Sequence, residues 1–501
     1  MKRCLTFLVA LILLLGLLTS SALAEEKRYK EKIVVAFSTK LTNIDPQSVN
    51  NVQHKRLFLL MFDGLVNVDP QTNELSPGLA ERWELSEDGL SWTFYLRQDV
   101  KFHNGEPFTA DDVVFTIERG KASAVGSARG MFTTVDNVVA VDDYTVQLNL
   151  AKINMDMLYI LAQPGLGMLN REAVESDPDK GPYVGCGPWK FNDFREGDYV
   201  LLERFDDYYG KKSPTKFLEL RHIAENSARL ISLQNDEIDV CLEPNNIELD
   251  FIRDDPNLKL VQQNGTNLQY FAFNVQREPG NNPAFRQAVS HAINMDEIIL
   301  AAFEGMGVQA NSFWSWAQYG YNADIQPYEY NPDKAKQIVD ENGLAGTVLK
   351  IMTTGAERIL VVQILQAQLA PIGIKVELEE VDSAGFTSLT NAGEHQACIY
   401  GITYVNYGDD ARRTHAAGST TNKSHQNNPR IQELMDLALA ETNEEQRLKY
   451  YHEWQQIAHD EIAVIPLIYQ TLSVAINKDV EGIAFEPGGI HDFSGVYREI
   501  K

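Results

Sequence analysis

Adjacent carboxylates are the residues of this chain that could most directly do chemistry. The pairs are Asp111-Asp112, Asp206-Asp207 and Asp409-Asp410. Two carboxyl groups that face one another across a bound sugar can hydrolyse a glycosidic bond, one as the acid and the other as base or nucleophile. With 70 Asp and Glu residues in the chain, however, adjacent pairs arise by chance. The pairs leave an exported acidic hydrolase as a distant alternative and support no catalytic assignment.

Histidines and glycines offer no better site. His452 and His459 are seven residues apart, whereas two zinc ligands on one helix face are four apart. His415 and His425 lie in a polar segment without a cysteine partner. The chain contains no P-loop, HExxH or GxSxG motif, and Gly165-Leu166-Gly167 lacks the third glycine of a dinucleotide-binding turn. We therefore expect no catalytic residue, no metal site and no cofactor.

The net charge limits the partners of the protein. The 501 residues carry 44 Lys and Arg against 70 Asp and Glu, a formal charge of −26, and contain no run of Lys and Arg. Such a field opposes binding to a phosphate backbone, so we expect no nucleic-acid partner. A hydrophobic content of 44% is ordinary for a globular protein.

The N-terminus has the three parts of a secretory signal. Met1-Lys2-Arg3 is basic, Leu5 to Leu18 is nearly all apolar, and Ala22-Leu23-Ala24 supplies small residues around a cleavage site. The apolar run has 14 residues, which is short for a bilayer span, so an uncleaved membrane anchor is the less favoured alternative. Cys4 precedes the run, which argues against a lipid-modified cysteine at the cleavage point. We expect a signal peptide over residues 1–24 and a periplasmic product without a lipid anchor.

The elements that must position any site alternate between strands and helices. Runs rich in β-branched and aromatic residues predict strands at Ile33–Phe37, Trp92–Arg97, Tyr144–Leu150, Tyr199–Phe205, Lys216–Ile223, Leu268–Val275, Thr347–Thr354, Ile374–Val381, Ala397–Val405 and Ala463–Ile476. Helical segments lie between them, and the alternation predicts a mixed α/β architecture.

Capping signals predict where three of the helices begin. Thr109 with Asp112 has the pattern of a capping box, and Asn443 with Gln446 starts a second helix in the same way. A third helix over residues 331–343 has proline at its start and glycine at its end.

Three cysteines follow the signal peptide, and they are Cys186, Cys241 and Cys398, without a CxxC motif. Their odd number and the length of the chain argue against a disulfide framework. Buried free thiols are the favoured interpretation, and a single Cys186–Cys241 bridge remains open.

Eight segments follow one another in an order typical of one known family. They are Met61–Val66, Leu75–Trp83, Thr93–Arg97, Val100–Phe115, Gly185–Trp189, Phe285–Ala288, Asn331–Lys336 and Ile465–Leu467. The block from Phe62 to Phe115 is the most specific of them, and Cys186 stands where the family usually has threonine. Together the segments resemble the extracytoplasmic solute-binding proteins, family 5, of peptide/nickel-type ABC importers.

The resemblance implies an α/β fold of the type II periplasmic-binding-protein-like class, with two lobes, hinge strands and an inserted third domain. Leu268–Val275 and Leu467–Val474 would be the strands that cross between the lobes. The implied division is domain I over 25–70, 188–270 and 471–501, inserted domain II over 71–187, and domain III over 271–470.

The same resemblance implies a binding function rather than an enzyme activity. A peptide or a peptide-like, possibly anionic, small molecule would be captured by lobe closure and delivered to the transmembrane subunits of an ABC permease, and the receptor would be a monomer. A metal chelate, an opine and an oligosaccharide remain alternative ligands on the same scaffold. The nickel branch fits less well, because Gln163-Pro164-Gly165-Leu166 lacks the arginine expected there.

The stretch Tyr400–His415 lies where the family has its cleft loop. Peptide receptors of the family usually carry an aspartate in this loop that pairs with the α-ammonium of the ligand. That position falls on Val405, and the nearest carboxylate is Asp409, four residues later. An unpaired buried ammonium is costly, so Asp409 is the candidate replacement. Arg358 lies where dipeptide-type relatives have an arginine for the ligand carboxylate.

Further candidate ligand-binding residues complete the predicted site. Arg412 and Arg413 could form an anion clamp, with exposed surface charges as the alternative. Tyr404 and Tyr407 could supply aromatic walls, or they could pack between a strand and a helix. The remaining candidates are Asn406, in the same stretch, and Asn43, which could equally form a turn after the first strand.

Overall fold

The computed structural model describes residues 27–49, 51–123, 126–403 and 409–500. Numbered along the chain, its strands are β1 Arg28–Tyr29, β2 Lys32–Phe37, β3 Val66–Val68, β4 Leu75–Pro77, β5 Ala80–Leu85, β6 Ser91–Leu96, β7 Val135–Asp142, β8 Thr145–Leu150, β9 Trp189–Arg195, β10 Tyr199–Arg204, β11 Phe217–His222, β12 Val240–Leu242, β13 Leu258–Phe273, β14 Gly307–Gln309, β15 Val348–Thr353, β16 Lys375–Glu380, β17 Ala397–Thr403, β18 Val464–Asn477, β19 Val480–Glu481 and β20 Tyr497–Ile500.

The α-helices are α1 Val52–Met61, α2 Ala110–Ala122, α3 Gly126–Met131, α4 Met157–Leu161, α5 Arg171–Ser176, α6 Asn226–Gln234, α7 Leu249–Asp254, α8 Pro283–Ala292, α9 Met295–Ala302, α10 Pro332–Glu341, α11 Ala356–Leu369, α12 Ser383–Asn391, α13 Asp409–His415, α14 Pro429–Ala440 and α15 Glu444–Glu461. Short 3-10 helices occupy Pro164–Leu166, Gly181–Tyr183, Asn246–Glu248 and Ala370–Ile372. No helix of the described residues combines the length and the apolar content that crossing a bilayer requires.

One large sheet organises the molecule. Among the described residues it has eleven strands in the order β16-β15-β17-β13-β18-β12-β2-β11-β10-β9, with β14 paired to β18 beside this path. The central strands β13 and β18 run antiparallel from Leu258 opposite Asn477 to Ala272 opposite Val464. We call the part of the chain around β2 and β9–β12 the first lobe, and the part around β15–β17 the second lobe.

The pairing of β13 with β18 changes register in the middle of the sheet. The break lies between Asn264 and Leu268, opposite Thr471 and Tyr469. Such irregularities bend and twist the strands that contain them. Before the break, β13 pairs with the part of β18 that contacts β12 of the first lobe, and after it β13 also pairs with β17 of the second lobe. A bent pair of strands therefore joins the two lobes.

A four-stranded antiparallel sheet, in the order β5-β6-β8-β7, stands apart from the large one. We call residues 80–161, from β5 to the end of α4, the small-sheet unit. Its apolar face packs against α2 and buries Phe94, Phe102, Phe108 and Ile117. Complete burial of such side chains stabilises a fold by about 2 kcal/mol each.

The small-sheet unit also contacts the second lobe. The hydroxyl of Tyr451 donates to Asp156 Oδ1 at 3.2 Å, and both residues are buried. The rings of Tyr159 and Tyr319 lie 5.5 Å apart, centroid to centroid. These contacts join the small-sheet unit to the second lobe.

The predicted elements are confirmed where the structure describes them. Each of the ten predicted strand runs overlaps a strand, although β13 already begins at Leu258 and residues 404–405 of the run Ala397–Val405 lie outside the described residues; residues 332–341 form α10. In the capping box at α2, the Thr109 N–H donates to Asp112 Oδ2 at 3.0 Å. At α15, Asn443 Oδ1 accepts from the Gln446 N–H at 3.0 Å. The three described cysteines are free and buried, in agreement with the favoured interpretation of free thiols.

Candidate functional site: a cleft between the two lobes

A cleft of about 420 Å³ lies between the two lobes, beside the bent strands β13 and β18. Its volume falls in the range of about 300–1,000 Å³ that small-molecule sites occupy. The lining residues with polar side chains are Arg56, Glu243, Asn246, Asn267, Glu357, Thr403, Gln470, Thr471 and Ser473. Both lobes contribute to this set.

Arg56 and Glu243 form the polar part of the first-lobe wall. Arg56 is buried on α1, where its Nε donates to the carbonyl oxygen of Gly489 at 2.6 Å and its Nη2 lies 3.4 Å from Glu243 Oε1. The Nε2 of Gln53 donates to the same carboxyl oxygen at 3.1 Å. Burial lowers the pKa of Arg56 and the charge of Glu243 opposes that shift, but a guanidinium stays protonated. The Glu243 side chain is 45% exposed, so its carboxylate faces the cleft.

Amide side chains of the bent strands form the floor of the cleft. Gln269 Nε2 donates to Asn267 Oδ1 at 2.7 Å and lies 3.2 Å from Gln470 Oε1. Asn267 Nδ2 in turn donates to the hydroxyl of Thr403 at 2.8 Å. Gln269 is buried, and these hydrogen bonds offset the cost of removing its amide from water. The network connects β13, β17 and β18.

Arg358, on α11, adjoins this floor from the second lobe. Its Nε donates to Gln269 Oε1 at 2.8 Å, and its guanidinium carbon lies 5.5 Å from the centroid of the Tyr400 ring. Burial lowers its pKa, although the group remains charged. No carboxylate of the described chain lies within ion-pair distance of it, and Nη1 makes only a long contact of 3.4 Å with the carbonyl oxygen of Thr354. A guanidinium in this state can accept an anion through two parallel hydrogen bonds.

Gly401 provides the space that Arg358 and Gln269 occupy. A Cβ at this position would lie 2.5 Å from Gln269 Nε2 and 2.6 Å from Arg358 Nη2. Both distances are shorter than any ordinary nonbonded contact. A Cβ at position 401 would therefore displace the ends of the Gln269 and Arg358 side chains.

The cleft presents charges of both signs. Arg56 is the cation of its lining and Glu243 and Glu357 are the anions, while Arg358 adjoins the floor through Gln269 without lining the cavity. Glu357 Oε2 lies 3.4 Å from Gln470 Nε2, next to the amide floor. The arrangement can hold a molecule with carboxylate, ammonium and amide groups by hydrogen bonds alone.

The structure brings one sequence-predicted residue, Arg358, into contact with the floor of the cleft. Tyr404, Asn406 and Tyr407 lie outside the described residues, as does the side chain of Asp409.

Arg412 and Arg413 lie in α13, which occupies part of the stretch expected to be a loop. Basic residues occupy the last turn of α13, where a positive charge interacts favourably with the helix dipole. Arg413 is exposed and Arg412 is half-buried, and neither lines the cavity of the cleft.

Two other sequence candidates have structural surroundings. Asn43 Oδ1 accepts from the Asp45 N–H at 2.8 Å, which is the turn-forming alternative, and Asn43 is absent from the cleft lining. His415 is buried, with its ring centroid 4.8 Å from that of Phe313 and 5.6 Å from that of Trp454. In the described part of the chain no three His, Cys, Asp or Glu side chains are placed to hold a metal ion.

Sequence reasoning missed most of the cleft. Glu243 and Glu357 are ordinary acidic residues among many, and Arg56 lies within an apolar helix pattern. The available signal was the amide residues on the crossing strands, since Gln269 lies inside the predicted strand Leu268–Val275 and Gln470 inside Ala463–Ile476. A polar side chain in a buried strand needs partners, and here the partners are those of the cleft floor.

A two-lobed protein with a polar cleft at strands shared by both lobes is a ligand-binding protein. Residues 74–425 match the family model described as bacterial extracellular solute-binding proteins, family 5 Middle. The chain belongs to this family. The predicted family, the type II periplasmic-binding-protein fold and the solute-binding function are confirmed.

Three relatives illustrate the similarity. The dipeptide-binding protein of Escherichia coli is 30% identical, covering 87% of this chain and 88% of its own length. HbpA2 from Haemophilus parasuis superposes with a TM-score of 0.84 at 28% identity, covering 94% of this chain and 100% of that structure. The periplasmic binding protein DppA from Helicobacter pylori, in complex with peptide STSA, has a TM-score of 0.77 at 27% identity, covering 96% and 100%.

Proposed function

We propose that this protein is the substrate-binding component of an ABC importer and that it captures a peptide or a peptide-like small molecule in the cleft. The observation that carries the proposal is Arg358, a half-buried guanidinium beside a floor of amide side chains, with no carboxylate partner among the described residues. Such a group binds a carboxylate through two charge-assisted hydrogen bonds. The names of the E. coli dipeptide-binding protein and of the H. pylori protein with its peptide support this ligand class.

In the proposed complex, Arg358 binds the carboxylate of the ligand. Asn267 and Gln470 hydrogen-bond to its amide groups, a mode that tolerates different side chains. Glu243 and Glu357 are available to its ammonium group from opposite lobes, and Asp409 remains the partner predicted from the sequence. The proposed aromatic walls are Tyr404 and Tyr407, with Asn406, Arg412, Arg413 and Asn43 as further predicted contacts.

Binding is proposed to close the lobes about the bent strands. The domain division is 25–70, 188–270 and 471–501 for domain I, 71–187 for the insertion, and 271–470 for domain III. The register break between Asn264 and Leu268 supports a boundary near residues 270 and 471. Few residues need to change their backbone angles for a hinge of this kind.

The partners follow from this function. The closed protein, a monomer, docks on the transmembrane subunits of a permease, and the ATPase of the transporter supplies the energy. The chain itself is a receptor and not an enzyme, and it reaches the periplasm through a cleaved signal peptide. Relatives named as periplasmic-binding proteins support this location.

The test is mass spectrometry of the protein purified without unfolding, before and after denaturation, with identification of the molecules released. Peptides or single peptide-like anions are expected from the wild type and should be absent from Arg358→Gln prepared in the same way. A metal chelate, an opine or an oligosaccharide as the sole released molecule would reject the peptide assignment. Release of cleaved products in catalytic amounts from an added peptide or glycan pool would reject the receptor function.

A further inference from the structure

A lysine without a carboxylate partner is buried in the second lobe. Lys423 lies between α13 and α14 and is 6% exposed. Its Nζ donates to Thr390 Oγ1 at 3.0 Å and to Asn391 Oδ1 at 2.8 Å, and both acceptors are uncharged. No carboxylate among the described residues lies within ion-pair distance of this ammonium group. Buried lysines are almost always paired with an opposite charge, so the lysine calls for an explanation.

One aromatic ring connects this lysine to Arg358. The Nζ of Lys423 lies 5.8 Å from the centroid of the Tyr400 ring, and the guanidinium carbon of Arg358 lies 5.5 Å from the same centroid. The ring of Phe386 stacks on that of Tyr400, with the centroids 5.0 Å apart, and its own centroid lies 6.0 Å from the lysine Nζ. Aromatic rings attract cations to their faces. Two cations are therefore held beside one ring of the second lobe.

The described surroundings of Lys423 are apolar and supply no negative charge. Phe386 and Tyr270, whose rings both contact the Tyr400 ring, are buried in the same apolar cluster as Cys398. The thiol of Cys398 is neutral, because burial raises its pKa to about 12. Burial lowers the pKa of Lys423, and no Asp or Glu of the described residues opposes that shift. An anion bound in the cleft would oppose it.

We propose that Lys423 is a specificity-determining residue of the cleft, and that its buried charge adds to that of Arg358 in selecting ligands that carry a carboxylate. The inference rests on the proposed function, in which Arg358 binds the carboxylate of the ligand. Lys423 acts at a distance, through the interior of the second lobe, and not by contact with the ligand. Its missing counter-charge is then the carboxylate that the cleft binds.

The size of the effect follows from distance and burial. Opposite unit charges about 10 Å apart change an affinity about tenfold where the effective dielectric constant is about 20. Salt screens a buried charge little, whereas it largely screens the charge of an exposed lysine at that distance. The hydrogen bonds of Lys423 to Thr390 and Asn391 also join its segment to α12. A purely structural role of these bonds would affect ligands with and without a carboxylate equally.

Calorimetric titration of the full protein with alanyl-alanine and with alanyl-alanine amide tests the charge of Lys423. Lys423→Met removes the charge and keeps the length of the side chain, so the affinity for the acid should fall about tenfold and the affinity for the amide should stay unchanged. Lys423→Gln is a second neutral variant, which keeps an N–H donor for Thr390 or Asn391, and it should give the same pattern. Lys423→Arg keeps the charge and should keep the preference for the acid. Thermal unfolding of each variant verifies that it is folded.

Two further variants separate this inference from the proposed function. Lys350→Met removes the charge of an exposed lysine on β15 of the same lobe and should leave both affinities unchanged. Arg358→Gln should abolish the preference for the acid, as the proposed function requires. The inference alone is overturned if the neutral variants of Lys423 keep the wild-type preference, if they weaken acid and amide equally, or if Lys350→Met changes the preference as much. Wild-type protein that binds neither probe, or both equally, would overturn the carboxylate assignment of Arg358 and this inference with it.

Discussion

Replacement of Arg358 by glutamine should separate a carboxylate contact from a merely structural role. A guanidinium fork offers two charge-assisted hydrogen bonds, and each contributes about 1.5 kcal/mol at the low end of the measured range. The low end applies because Arg358 is only half-buried. Loss of both bonds, about 3 kcal/mol, corresponds to an affinity about 100-fold weaker.

The assay is calorimetric titration of wild type and Arg358→Gln with a dipeptide and with the same dipeptide amidated at its C-terminus. Amidation removes the carboxylate, so the wild type should bind the amide about 100-fold more weakly than the free acid. The variant should bind the acid and the amide equally, because the partner of the carboxylate is gone. Arg277→Gln changes an exposed arginine of the same lobe that lies outside the cleft lining, and this matched control should behave as wild type.

A structural role for Arg358 predicts a different pattern. Its contacts with Gln269 and Tyr400 would be lost with either ligand. Equal weakening of the acid and of the amide in Arg358→Gln would therefore refute the carboxylate assignment. It would leave Arg358 as a positioning residue for the amide floor.

Three further outcomes are expected from other parts of the structure. Gly401→Ala should weaken ligand binding while the fold persists, because the Cβ of the alanine would lie 2.6 Å from Arg358 Nη2. Calorimetric titration measures the binding, and thermal unfolding shows whether the variant is folded. Tyr451→Phe removes the buried hydrogen bond that joins the second lobe to Asp156 of the small-sheet unit. Ligand affinity should then fall by up to about tenfold. Small-angle scattering should show a more open molecule. Burial raises the pKa of Glu486 from 4.5 to about 8 in the fold, so the folded state binds more protons than the unfolded state between pH 4.5 and 8. Stability should therefore fall as pH rises through this window, and Glu486→Gln should flatten that fall in chemical denaturation curves; an unchanged slope would contradict the shifted pKa.

The sequence predicts local structure well where the signal is local. Thr109 and Asp112 cap α2 because both partners of the hydrogen bond lie within four residues of each other. The cleft depends instead on distant pairs. Arg56 meets Glu243 and Arg358 meets Gln269 only after the sheet has formed, and no periodicity in the chain records those pairings. Resemblance to a family found Arg358, whereas Glu243 could not be distinguished from the other acidic residues.

Asn43 shows a second limit of the sequence. An asparagine after a strand can bind a ligand or its own backbone, and spacing alone does not separate the two. In the structure its side-chain oxygen accepts from the Asp45 N–H at 2.8 Å. A competing local hydrogen bond was the simpler outcome, since it requires no partner from another part of the chain.

The position of the polar groups explains how binding could drive closure. Changing a receptor from 1% to 99% closed requires about 5.5 kcal/mol of preference for the closed state. A carboxylate on Arg358 supplies about 3 kcal/mol, but a contact with one lobe alone is made equally well in the open molecule and shifts nothing. The preference must come from a ligand that reaches Arg358 in the second lobe and Glu243 or Arg56 in the first at the same time. Arg56 and Glu243 line the first-lobe wall, and Arg358 adjoins the floor from the second lobe, so a ligand too short to span them should bind without closing the lobes.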